Sequence, residues 1–177
     1  MRTEFRLSGS GGQGLLLAGI VLAEAAIIED KNAVQTQSYG PEARGGASKA
    51  EVVISDTDID YPKATDPDFL LALTAEAYKS YGPCMGKGLI IVDSSVPLSD
   101  DIKARTVSVP ILKTASDDLG KKVVANIVAL GVLGGISGVV SLPTIELAVK
   151  NRVPKGTEDL NLSALRKGFE LAKSAKI

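Results

Sequence analysis

The chain has 177 residues, 45% hydrophobic and 23% charged, a size and balance that suit one soluble domain burying ~70% of its unfolded surface. Its 20 Lys and Arg are dispersed and offset by 21 Asp and Glu, so it offers no concentrated positive face for nucleic acid. It has no His, no Trp and one Cys against 18 Gly, so the usual metal, iron–sulfur and proton-shuttling side chains are almost absent. The lone Cys84 cannot form an internal disulfide, which fits a reducing cytoplasm.

The first residues enter a strand pattern over 3–7 without a signal-peptide apolar stretch. A helix over about 12–29 follows, then strands over 33–37, 50–54, 69–73, 89–92 and 106–109. Helices are predicted over 75–81, about 115–133, 143–151 and 162–175. This alternation predicts an α/β fold: a single three-layer domain over 1–177 with a mainly parallel, Rossmann-like sheet. Segment 50–54 alternates imperfectly, which leaves its place in the sheet open. Thr114, with Asp117 three residues on, resembles a capping box for the long apolar helix.

The window 123–140 is almost wholly apolar and follows Lys121 and Lys122, so a membrane span has to be weighed. It contains Asn126, Ser137, Gly131, Gly134, Gly135 and Gly138, and the rest of the chain is charged and turn-rich. A buried core helix is the expectation, because a helix apolar all round needs only a domain core to cover it.

Gly9-Ser10-Gly11-Gly12-Gln13-Gly14 fits the dinucleotide pattern G-x-G-x-x-G, with a strand running in and an apolar helix running out. Glycines there let the backbone approach a ligand, and free N–H groups with the helix dipole favour an anion. The ribose-binding acid expected about 20 residues on is missing, since the second strand runs into Gln35-Thr36-Gln37-Ser38. Three readings stay open: a bound phosphate-like group, contact with a partner chain, or only a tight strand-to-helix turn.

The second unusual stretch, Tyr39-Gly40-Pro41-Glu42-Ala43-Arg44-Gly45-Gly46, sets an aromatic, an acid and an arginine among glycines at the ligand-bearing edge of the sheet. Arg44 supplies a rigid fork for carboxylate or phosphate, and Gly45 and Gly46 allow close approach. Alone, the stretch would also read as a surface turn with a solvated Glu42–Arg44 pair.

These two loops, followed by Ala125-Asn126-Ile127-Val128-Ala129-Leu130-Gly131, closely resemble the gamma subunit of the 2-oxoacid:ferredoxin oxidoreductases. The resemblance runs through essentially the whole chain, and the Tyr39–Gly46 run looks most like the 2-oxoglutarate branch, with 2-oxoisovalerate enzymes next. It implies a cytoplasmic complex of alpha, beta, gamma and often delta subunits that oxidatively decarboxylates a 2-oxoacid to its acyl-CoA and reduces ferredoxin. It further implies that thiamine diphosphate, Mg and iron–sulfur clusters reside in partner subunits, that CoA is a substrate of the complex, and that this chain binds no cofactor tightly. One Cys cannot ligate a cluster, and no Gly-Asp-Gly motif with paired Asn marks a thiamine site.

The resemblance assigns Gly9, Ser10, Gly11, Gly12, Gln13 and Gly14 to one ligand- or partner-binding loop and Tyr39, Gly40, Arg44, Gly45 and Gly46 to a second. It adds Asn126 in an apolar helix, where a polar pin between helix and loop is the plainer expectation. None is expected to be catalytic, no metal site is expected, and a homodimer stays open for the isolated chain. The reading of another class is a free-standing dinucleotide-binding oxidoreductase; a self-associating binding module is a third.

Other candidates are weaker. Cys84 sits in a turn without any His to serve as base. Asp56, Asp58, Asp60, Asp66 and Asp68 lack the glycine and terminal Glu of a calcium loop and read as solvated loop acids. Asp93, ending a predicted strand, is placed either for a ligand or for an Asp-Ser-Ser turn.

Overall fold

A computed structural model describes residues 1–38 and 47–175. Six strands, β1 (Arg2–Gly9), β2 (Asn32–Ser38), β3 (Ser48–Ser55), β4 (Phe69–Ala72), β5 (Leu89–Asp93) and β6 (Thr106–Val109), form one sheet in the order β2-β3-β1-β4-β5-β6. β1, β4, β5 and β6 pair in parallel, whereas β3 runs antiparallel to both β1 and β2. The uncertain segment 50–54 is therefore an interior strand, and its place explains the imperfect alternation: Val52 and Val53 are both fully buried on opposite faces.

Helix α1 (Leu15–Ile28) crosses from β1 to β2, and α2 (Ala75–Tyr81) follows β4. A short helix α3 (Ile111–Lys113), then α4 (Ala125–Ser137), α5 (Leu142–Arg152) and α6 (Glu158–Ser174) complete the chain. Alternate strand residues feed two cores. Phe5, Leu7, Val52, Ile54, Leu71 and Ile91 meet the α1, α4 and α5 side, while Leu70, Ala72, Ile90 and Val92 meet Ala77 and Tyr78 of α2. Under β1 and β3 the α2 side is polar instead: Arg6 pairs with Glu51 at 2.8 Å and donates to the Ala64 carbonyl at 2.8 Å.

The apolar window is an internal helix. Residues Ala125 to Gly134 of α4 are all buried, and among the described residues no helix is long and apolar enough to cross a membrane. Its glycines serve close packing on α6. A Cβ on Gly131 would lie 2.2 Å from the Leu165 carbonyl oxygen, and one on Gly168 would lie 2.2 Å from that of Val128. Only hydrogen at these positions lets the two backbones cross so closely.

The continuous helix expected over 115–133 does not form. The α3 turn runs into a π turn over Thr114–Asp118, Gly120 takes a left-handed φ of 64°, and a 3-10 turn at Lys122–Val124 precedes α4. Nor does Thr114 cap a helix, because it lies inside a helical segment with no side-chain cap bond. The first turn is held from a distance: Asp93 Oδ1 accepts from the Leu112 N–H at 2.7 Å.

Candidate functional site

The glycine loop connects β1 to α1 at the edge where the parallel strands end, the edge that carries ligands in open α/β sheets. Gly12 and Gly14 adopt φ of 83° and 74°, conformations that L side chains resist. Gln13 closes the turn, its Oε1 accepting the Ser10 N–H at 2.8 Å. Ser48 Oγ donates to the Gly9 carbonyl at 3.1 Å, tying the loop to the start of β3.

Gly14 occupies the N-cap of α1. Its carbonyl accepts the Ala18 N–H at 3.2 Å and Asn126 Nδ2 at 3.1 Å, so Asn126 is the pin between α4 and the loop. The first turn of α1 has neither a side-chain cap nor an acidic residue. Its N–H groups and the positive end of the dipole consequently lack a local negative partner.

Two clefts flank this loop. The smaller, about 360 Å³, runs between the loop and the ends of β2 and β3, lined by Ser10, Gly11, Gln37, Ser38 and Lys49 among others. The larger, about 870 Å³, lies on the other side of Gly12–Gly14, between Leu112, Val123 and Asn126 and the α5–α6 connection. Its volume falls in the range of small-molecule sites.

Tyr39, Gly40, Arg44, Gly45 and Gly46 lie outside the described residues. The strands on either side of them reach the glycine loop: Gly9 is in register with Ser48, and Ser38 with Lys49. The structure thus brings Gly9 to Gly14 together with Asn126, and brings up the two strand ends that flank the second loop.

Asp93 is a structural residue, 1% exposed, whose Oδ2 accepts from Ser95 N–H at 2.8 Å and Ser95 Oγ–H at 2.5 Å. Cys84 is exposed on the 3-10 turn Gly82–Cys84. Asp68 Oδ2 accepts the Glu4 N–H at 2.8 Å. Among the described residues no group of three His, Cys, Asp or Glu is placed to hold a metal ion. A single exposed thiol is the wrong donor set for an iron–sulfur cluster, so these residues do not fit one.

Lys49, Lys113, Lys122 and Asn161 line the clefts without a sequence motif to mark them. Only Lys49 had a usable signal, its closeness to the second loop.

The strand order also accounts for the missing ribose acid. In a dinucleotide fold the second strand lies beside the first, parallel to it. Here antiparallel β3 separates β1 from β2, so the end of β2 is displaced by one strand from the ribose position.

The family model for pyruvate ferredoxin/flavodoxin oxidoreductase matches residues 4–171. The 2-oxoglutarate synthase subunit KorC of Methanocaldococcus jannaschii is 48% identical over 178 residues, covering 98% of this chain and 95% of the relative. Among solved structures, the gamma subunit of a keto/oxoacid ferredoxin oxidoreductase from Geobacter sulfurreducens aligns with a TM-score of 0.91 and 49% identity, over 100% of this chain and 99% of that one. A 2-oxoglutarate:ferredoxin oxidoreductase from Magnetococcus marinus, solved with 2-oxoglutarate, coenzyme A and succinyl-CoA bound, shares the fold. Its TM-score is 0.86 at 22% identity, over 98% of this chain and 31% of the other. A match that runs from the first strand into the last helix covers the whole fold and not merely a glycine loop: this chain belongs to the pyruvate ferredoxin/flavodoxin oxidoreductase family.

Proposed function

We propose that this chain is the gamma subunit of a 2-oxoglutarate:ferredoxin oxidoreductase, a cytoplasmic multi-subunit enzyme that oxidatively decarboxylates 2-oxoglutarate to succinyl-CoA and reduces ferredoxin. The observation that carries the reading is the end-to-end likeness, at 48% and 49% identity, to a 2-oxoglutarate synthase subunit and to a solved gamma subunit. The chain has no reaction of its own, and thiamine diphosphate, Mg and the iron–sulfur clusters belong to alpha, beta and delta partners. A chain with no His and one Cys suits that division of labour.

Within the assembly, the glycine loop, the α1 N-terminus and Arg44 hold a phosphate or carboxylate of CoA or of the substrate. Support comes from the open N–H groups of the first turn and from the smaller cleft between the loop and β2–β3.

Reconstitution tests the subunit reading. Purified alone, the chain shows no 2-oxoacid oxidation; mixed with its alpha and beta partners, it restores CoA-dependent ferredoxin reduction. Full activity from an alpha–beta preparation without it would sink the proposal. Calorimetry with NAD, NADP, FAD and CoA separates it from a free-standing dinucleotide enzyme, for which micromolar affinity for a nicotinamide nucleotide would speak. Arg44→Ala is expected to leave stability nearly unchanged while raising the apparent KM for CoA or weakening assembly. Unchanged kinetics and assembly remove Arg44 from the site.

A further inference from the structure

The larger cleft combines apolar walls, two cations and two buried amides whose acceptors are open. Leu17, Leu112, Val153 and Leu160 supply apolar lining, and no carboxylate lines it. Lys113 and Lys122 stand exposed along it, in a chain whose net charge is −1. Val123, between Lys122 and Val124, is 80% exposed, an apolar side chain left in water.

Asn126 and Asn161 are only 6% and 8% exposed, and both line this cleft. Each uses its Nδ2 within the chain, Asn126 on the Gly14 carbonyl and Asn161 on the Thr157 carbonyl at 2.9 Å and its Oγ1 at 3.1 Å. Those bonds fix both amide planes. Neither Oδ1 has a hydrogen-bond partner among the described residues, and neither is fully sealed from solvent. Oriented carbonyl acceptors in an apolar groove are complementary to N–H donors on an otherwise apolar chain, and leaving them dry and unpaired under a ligand would be costly.

We infer that this cleft seats an extended segment of a companion subunit, apolar along its length and carrying a carboxylate. Its backbone N–H groups donate to Asn126 Oδ1 and Asn161 Oδ1, its carboxylate lies against Lys113 and Lys122, and its apolar side chains cover Val123. A polypeptide accounts for the exposed valine at the rim, which a small molecule held inside the cleft would leave in water. The inference rests on the proposed subunit role and assigns the two sides of the glycine loop different tasks: anion on the β2–β3 side, partner chain on the α4–α6 side.

The test uses the reconstituted complex. Lys113→Glu with Lys122→Glu, and separately Val123→Ser, change exposed side chains and should leave the isolated chain folded. Each is expected to weaken association with the alpha and beta partners, measured by sedimentation, by at least about tenfold, equivalent to about 1.4 kcal/mol. The apparent KM for CoA in the fully assembled enzyme is expected to stay the same. In a Cys84→Ser background, the thiol introduced by Ser116→Cys should react with maleimide at least about tenfold more slowly after assembly, because Ser116 lines the cleft. Unchanged association together with unchanged labelling overturns the inference. So does protection of that thiol by CoA alone, which would make the cleft a small-molecule site. If the wild-type chain fails to associate at all, the subunit role itself falls; if it associates and the variants do so equally well with unchanged labelling, only this inference falls.

Discussion

Gly14 is where backbone conformation and tertiary contact meet. Its φ of 74° is strained for any L side chain, and a Cβ there would lie 2.6 Å from Asn126 Nδ2. Gly14→Ala is therefore expected to lose both the left-handed turn and the Asn126 bond, at a cost of roughly 2–4 kcal/mol. Urea unfolding of the isolated chain reads this, and a loss below about 0.5 kcal/mol would contradict the geometry. Asn126→Asp keeps the shape but replaces the donor with an acceptor facing the Gly14 carbonyl. It is expected to cost about 1–3 kcal/mol. If Asn126→Asp is as stable as the wild type, the pin does not hold the loop.

At the scale of elements, the helices on one face of the sheet are joined by side chains at their ends. Glu24 of α1 binds Arg152 and Asn151 at the end of α5. Glu29, just past α1, accepts the Ser141 N–H at 2.8 Å at the start of α5 and pairs with Lys31 at 3.1 Å. Burial alone would raise the Glu29 carboxyl, but hydrogen bonds from Ser141, Lys31 and Thr144 outweigh it and hold its pKa at about 2. A folded-state pKa below the unfolded one contributes stability that is present above the unfolded value and is lost as pH falls through the folded one. The stability difference between the wild type and Glu29→Gln should therefore shrink as pH drops from about 4.5 to 2. Thermal unfolding across that range checks the sign, and parallel curves would refute it. The α4–α6 crossing is steric: Gly168→Ala places a methyl against the Val128 carbonyl, and about 1–3 kcal/mol of destabilisation is expected in the same denaturation assay.

For the whole molecule, the described surface has the properties of one member of an assembly. The glycine loop is flanked by two clefts, and under the proposed function the redox and decarboxylation groups come from other subunits. Activity is accordingly predicted to appear only on mixing with alpha and beta partners. The measurement is ferredoxin reduction dependent on both CoA and this chain, and activity independent of the chain would refute it.

Much of this was legible in the sequence because it is written in local chemistry. The strand–glycine–helix relay at Gly9 to Gly14 needs only short-range rules, and the boundaries of β6 (Thr106–Val109) and α2 (Ala75–Tyr81) agree with the periodicity. The ordered motifs carried the family. What stayed hidden depends on residues far apart in the chain. The interior, antiparallel place of β3 is set by pairing with β1 and β2 together, and the start of α3 is held by Asp93 reaching Leu112 from another strand. The glycines of α4 gave no hint by themselves that Gly168 would meet them. The sequence by itself thus determined the layered class, the glycine turn and the near-absence of His and Cys, because composition and backbone preference act locally. Only the tertiary structure decided that Gly14 is pinned by Asn126 and that a second cleft opens beside the loop, because both arise where segments more than a hundred residues apart are packed together.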